Sequence, residues 1–108
     1  EALCNDGSPG VYYFKAAESN TSNHVWIVHL EGGGWCWDDE SCYIRQSRSS
    51  LMSSLDKPPA VRLGGLMAAP PASPLAHANK LFVSYCTSDA FMGHRAPSGV
   101  ASALHFRG

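Results

Sequence analysis

The segment His24-Val25-Trp26-Ile27-Val28-His29-Leu30 is apolar at its centre on both faces of an extended backbone. A strand with one wet face alternates polar and apolar side chains, whereas a strand packed on both faces reads as a continuous β-branched and aromatic run. The segment therefore predicts a strand inside a sheet covered on both sides, which favours an α/β architecture over a sandwich. Three glycines follow it at once, in Glu31-Gly32-Gly33-Gly34-Trp35.

Asp38-Asp39-Glu40 opens a stretch predicted to be helical to about Leu55, because acidic residues suit the positive end of a helix and Asp38 or Asp39 can cap its free N–H groups. Ile44, Leu51 and Leu55, with Met52 beside them, share one face of that helix. Arg45, Gln46, Arg48 and Ser49 are placed on the solvent side, and Pro58-Pro59 ends it. Two further strands are predicted, Val11 to Lys15 after the turn cluster of residues 5–10, and Lys80 to Cys86, with Thr87-Ser88-Asp89 ending the latter. Ala101 to Phe106 reads as the opening of a helix. Leu63 to Asn79 carries no charge, but Pro70, Pro71 and Pro74 make it a loop and not a membrane span.

At 108 residues with a formal net charge of −1, the chain has length for one domain and no basic surface for nucleic acid. No repeat or linker divides it. Cys4, Cys36, Cys42 and Cys86 are an even set without metal-type spacing, which predicts two disulfides and an oxidising compartment. Asn20-Thr21-Ser22 is a glycosylation sequon consistent with secretion.

The triple glycine is the sharpest chemical signal. Glycines let backbone N–H groups face a cavity without obstruction, so such a loop suits an anion. A phosphate loop would run on to Lys and Ser or Thr, whereas Trp35-Cys36-Trp37 and three acids stand here. The same N–H groups would stabilise the oxyanion of ester cleavage. A plain strand-to-helix turn is the third possibility.

Cys4-Asn5-Asp6-Gly7-Ser8-Pro9, the block Leu30-Glu31-Gly32-Gly33-Gly34-Trp35-Cys36 with Ser41-Cys42 after it, Tyr85-Cys86 and Leu104-His105-Phe106-Arg107-Gly108 resemble the pectin acetylesterase family. That family includes the Notum-type carboxylesterases, which remove a lipid acyl group from Wnt proteins. The resemblance implies a secreted serine esterase of α/β-hydrolase fold with a mostly parallel sheet, no cofactor, and a monomer when complete. It implies backbone N–H groups of Gly33 and Gly34 as oxyanion donors, Trp35 in the substrate pocket, and disulfides Cys36–Cys42 and Cys4–Cys86.

None of the fourteen serines is flanked as G-x-S-x-G; Ser98 has Gly99 after it but Arg95-Ala96-Pro97 before. The resemblance places the nucleophile, acid and base after Gly108, so the chain is expected to be one partial α/β-hydrolase domain, residues 1–108, without a triad. His24 and His29 are an odd interval apart on a strand and point to opposite faces. His77, His94 and His105 lack carboxylates at ligand spacing, so no metal site is expected. Asp89 reads as a turn residue, Arg45 and Arg48 as surface, and Trp37 as packing. The expected function is ester hydrolysis, on acetylated pectin-like polysaccharide or, as the nearest variant, on an acylated protein. A disulfide-stabilised carbohydrate-binding module using Trp35 and Trp37, or a nonfunctional truncation product, are the readings of other classes.

Overall fold

The computed structural model describes residues 1–18, 24–95 and 103–108. The sequon at Asn20, Ser98 and the first residues of the helix expected from Ala101 lie outside them. The described residues divide into two compact units.

One unit comprises residues 12–31 and 58–84 and holds a three-stranded mixed sheet. Its strands are β1 (Tyr12–Lys15), β2 (Trp26–Leu30) and β3 (Asn79–Val83), in the order β1-β3-β2. β2 runs parallel to β3 with Val28 opposite Leu81, and β1 runs antiparallel to β3 with Phe14 opposite the same residue. The strand buried within these residues is β3, whose Asn79, Lys80 and Phe82 are enclosed. β2 carries the more apolar sequence, yet it lies at an edge of this sheet, and Trp26, Val28 and Leu30 on one of its faces are more than half exposed. Apolarity reports the packing a strand is built for, whereas position in the sheet decides the packing it receives. His29 leans on the Phe82 ring, with centroids 5.3 Å apart.

Lys80 is the one charged residue of β3. Its ammonium donates to the carbonyls of Ala68 at 2.5 Å and Met67 at 3.2 Å, at the end of a 3₁₀ turn, Gly65–Met67. Burial, and then the nearby charge of Lys15, hold its pKa below the ordinary lysine value. The alanine- and proline-rich segment is thus a loop that one buried lysine fastens to the sheet.

The other unit comprises residues 1–11, 32–57 and 85–108. It contains helix α1 (Asp39–Arg48) and a small antiparallel pair, β4 (His94–Arg95) with β5 (Phe106–Arg107). Phe106 is therefore in a strand and does not continue a helix. α1 begins as expected: Asp38 is its N-cap, accepting from Ser41 N–H at 2.7 Å, and the Ser41 hydroxyl accepts in return from Asp38 N–H at 3.1 Å. It stops at Arg48, well short of Leu55. Serines end it, since Ser47 Oγ donates to the Ile44 carbonyl, while Ser49 Oγ and Ser53 Oγ accept from the N–H groups of Leu51 and Leu55. Hydroxyls that bond the backbone locally offer it an alternative to the helical ladder. The apolar face divides accordingly: Met52 is buried with Cys36, Cys42, Leu104 and Phe106, whereas Ile44 and Leu55 are exposed.

Cys4 is bonded to Cys86 and Cys36 to Cys42, and no cysteine is free. The first bridge places Asn5 beside the turn that follows Cys86. Asn5 is fully buried and fully employed: its N–H donates to the Cys86 carbonyl, its amide nitrogen to the carbonyls of Thr87 and His105, and its Oδ1 accepts from Ser88.

Candidate functional site

Residues 32–35 are exposed, and their backbone is shaped by what lies beneath them. A Cβ on Gly33 would sit 2.9 Å from Tyr85 Cδ1 and closer still to Leu51 Cδ1, so no other residue fits without displacing a neighbour. Gly34 has φ +72°, a left-handed conformation that glycine adopts without steric cost. Among the described residues, the N–H groups of Gly33 and Gly34 donate to no protein acceptor, while the next N–H but one, that of Cys36, donates to the Ser88 carbonyl at 3.2 Å. Two adjacent free amides on a tightly seated loop make an arrangement able to bind an oxygen anion.

Arg45 is not on a solvated helix face. It lies three residues beyond the buried Cys42, and its guanidinium turns inward: Nη1 donates to the Gly33 carbonyl at 2.8 Å and Nε to Ser88 Oγ at 2.7 Å. Its Cζ is 5.8 Å from the centroid of the Tyr85 ring. Ser88 is itself fully buried with φ +55°, an uncommon conformation for a side chain-bearing residue. Neither Arg45, Ser88 nor Asn5 stands out as a site residue in the sequence. The available signals were the i, i+3 spacing from Cys42 to Arg45 and the adjacency of Asn5 and Ser88 to cysteines.

Trp35 and Trp37 are 62% and 70% exposed and line one open cleft of about 530 Å³ with Glu40, Ile44 and Arg48. Trp37 is thus a surface ring and not a packing residue. Trp35 also lines a second cleft, of about 320 Å³, with Cys36, Ser88, Asp89, Ala90 and Met92. Asp89 lines that cleft but is occupied as a turn residue, accepting from the Thr87 hydroxyl and from the N–H groups of Phe91 and Gly108. His77 pairs with Glu18 at 2.8 Å in the sheet unit. Among the described residues, no group of three His, Cys, Asp or Glu side chains could hold a metal ion, and no helix is long and apolar enough to cross a membrane.

Residues 1–108 match the Pectinacetylesterase family along their whole length. The chain belongs to that family. Palmitoleoyl-protein carboxylesterase notum1' of Xenopus laevis is 43% identical over 93 residues, which are 83% of this chain and 18% of that protein. Pectin acetylesterase 7 of Arabidopsis thaliana is 36% identical over 110 residues, covering 99% of this chain and 27% of that protein. A crystal structure of the Wnt deacylase Notum from Drosophila superposes with a TM-score of 0.82 at 34% identity, over 97% of this chain and 29% of that one. This pectinacetylesterase-family chain thus has the α/β fold of those structures and spans less than a third of each of these three relatives.

Proposed function

We propose that this chain is the part of a secreted carboxylic-ester hydrolase that receives negative charge during catalysis. The observation that carries the reading is the pair of amides at Gly33 and Gly34, unpartnered among the described residues, on a loop where a Cβ at Gly33 would press on Leu51 and Tyr85. In ester cleavage, a serine attacks the acyl carbon, the carbonyl oxygen becomes an oxyanion, and the departing alcohol leaves an acyl-serine that water then hydrolyses. Donors fixed before the reaction stabilise that oxyanion without the cost of reorganising solvent. The amides of Gly33 and Gly34 take this role, and the serine, acid and base come from sequence outside residues 1–108. The two disulfides support an extracellular location.

The substrate we favour is an acetylated, pectin-like polysaccharide. The exposed rings of Trp35 and Trp37 along one cleft support it, since flat aromatic faces suit the apolar faces of sugars. The identity to palmitoleoyl-protein carboxylesterases supports a second reading, removal of a longer acyl group from a protein.

The test is made on the complete enzyme encoded with this chain. It should carry an in-frame G-x-S-x-G serine, show an acyl-enzyme burst with an activated acetate ester, and release acetate from acetylated pectin. Release of a long acyl group from an acylated peptide, without release of acetate from pectin, would select the second substrate. Residues 1–108 alone should show no burst; turnover by them that one Ser→Ala change abolishes would contradict the assignment of the nucleophile.

A further inference from the structure

We infer that Arg45 is a positioning residue that aims the Gly34 amide at the reacting oxygen; the inference rests on the oxyanion reading of residues 33–34. Within a trans peptide unit, the carbonyl and the following N–H point in opposite directions. The peptide joining Gly33 to Gly34 is trans, and its carbonyl is held by Arg45 Nη1 at 2.8 Å. Fixing that carbonyl fixes the Gly34 N–H on the opposite side of the peptide, away from the guanidinium.

A glycine pair has special need of this restraint. With no side chain at either residue, the peptide between them rotates more freely than any other, and a rotation would exchange the N–H for the carbonyl, replacing a donor with an acceptor that repels an oxyanion. Arg45 opposes that rotation because it donates only and cannot accept the N–H in the carbonyl's place.

The guanidinium is anchored in turn. Its Nε donates to Ser88 Oγ, its Cζ lies over the Tyr85 ring, and Ser88 donates onward to the buried Asn5. The Ser88 carbonyl accepts Cys36 N–H, so one residue fastens both ends of the loop, directly at Cys36 and through Arg45 at Gly33. Arg45 Nη2 is buried and has no partner among the described residues.

The experiment compares Arg45→Ala and Arg45→Lys with the parent in the complete enzyme, using an activated acetate ester. A donor displaced by about 1 Å lowers kcat by about 10²-fold, and we expect that fall for Arg45→Ala with KM little changed. Arg45→Lys keeps one donor on a flexible stem and should fall between the two. Millimolar guanidinium should restore part of the lost kcat in Arg45→Ala. The Gly34 amide, followed by ¹⁵N-glycine NMR, should shift in both variants. Parent-like kcat in a folded Arg45→Ala, or in Arg45→Lys if the alanine variant fails to fold, overturns the inference. So does a loss of rate that appears only in KM. The oxyanion reading fails separately: in the parent enzyme, the Gly34 amide would then not respond when the serine is phosphonylated.

Discussion

Gly33 is seated against the ring of Tyr85 so closely that a Cβ on it would lie 2.9 Å from Tyr85 Cδ1. The loop's conformation is therefore set from below, by Tyr85 and Leu51, and not only by the freedom of its glycines. Gly33→Ala should destabilise the protein by about 1–3 kcal/mol, the range for overpacking a filled site, as measured by denaturant unfolding. Adding Leu51→Ala should recover part of that loss, since Leu51 Cδ1 is the nearest obstruction. Additive losses in the double variant would mean that the two side chains do not compete for the space.

The two disulfides differ in what they close. Cys4–Cys86 joins residues 82 apart and Cys36–Cys42 residues 6 apart. By the chain-entropy argument their removal costs about 4.5 and about 2 kcal/mol respectively. Paired Cys→Ser variants should show that order in their unfolding midpoints. Equal losses would indicate that strain or residual structure, and not loop length, governs them.

At the start of α1, the Ser41 hydroxyl and then the Ser41 N–H hold the Asp38 carboxyl below its ordinary value of 3.8. A depressed folded pKa gives stability that is complete above 3.8 and is lost as pH falls through the lower folded value. Far-UV helicity should therefore decline below about pH 4 in the parent and lose that component in Asp38→Ala. An unaltered acid profile in the variant would assign the titration to another carboxylate.

Lys80 satisfies two carbonyls and is itself penalised by burial. Lys80→Met should cost about 1–3 kcal/mol by stranding the Met67 and Ala68 carbonyls, as read from urea midpoints at neutral pH. Because its folded pKa lies below the ordinary 10.5, the folded protein releases the Lys80 proton first, so stability from this group rises with pH up to 10.5. Lys80→Met should remove that rise. A variant as stable as the parent would show that water replaces the ammonium at both carbonyls.

Local chemistry was legible in the sequence and tertiary position was not. The three strands of the sheet were recoverable because their β-branched and aromatic runs end at turn residues, and the start of α1 because Asp38 caps it. Apolar spacing extends the predicted helix to Leu55, whereas α1 ends at Arg48 because serine hydroxyls take over the backbone bonds. Composition points to β2 as the buried strand, although strand order places β3 at the centre. Helical periodicity points Arg45 to the surface, because it says which way a Cβ points but not where a long side chain folds back. Its partners, Gly33 and Ser88, are 12 and 43 residues away, and only the folded chain brings them together.

The central claim concerns two amide protons, and they can be observed directly. In the complete enzyme labelled with ¹⁵N-glycine, a phosphonate that esterifies the nucleophilic serine leaves a negative oxygen where the oxyanion would form. The amide protons of Gly33 and Gly34 should then move strongly downfield together and become protected from exchange, while that of Gly32 changes little. If Gly33 and Gly34 keep their free-enzyme shifts in the phosphonylated protein, the glycine loop is a turn and the oxyanion is stabilised elsewhere.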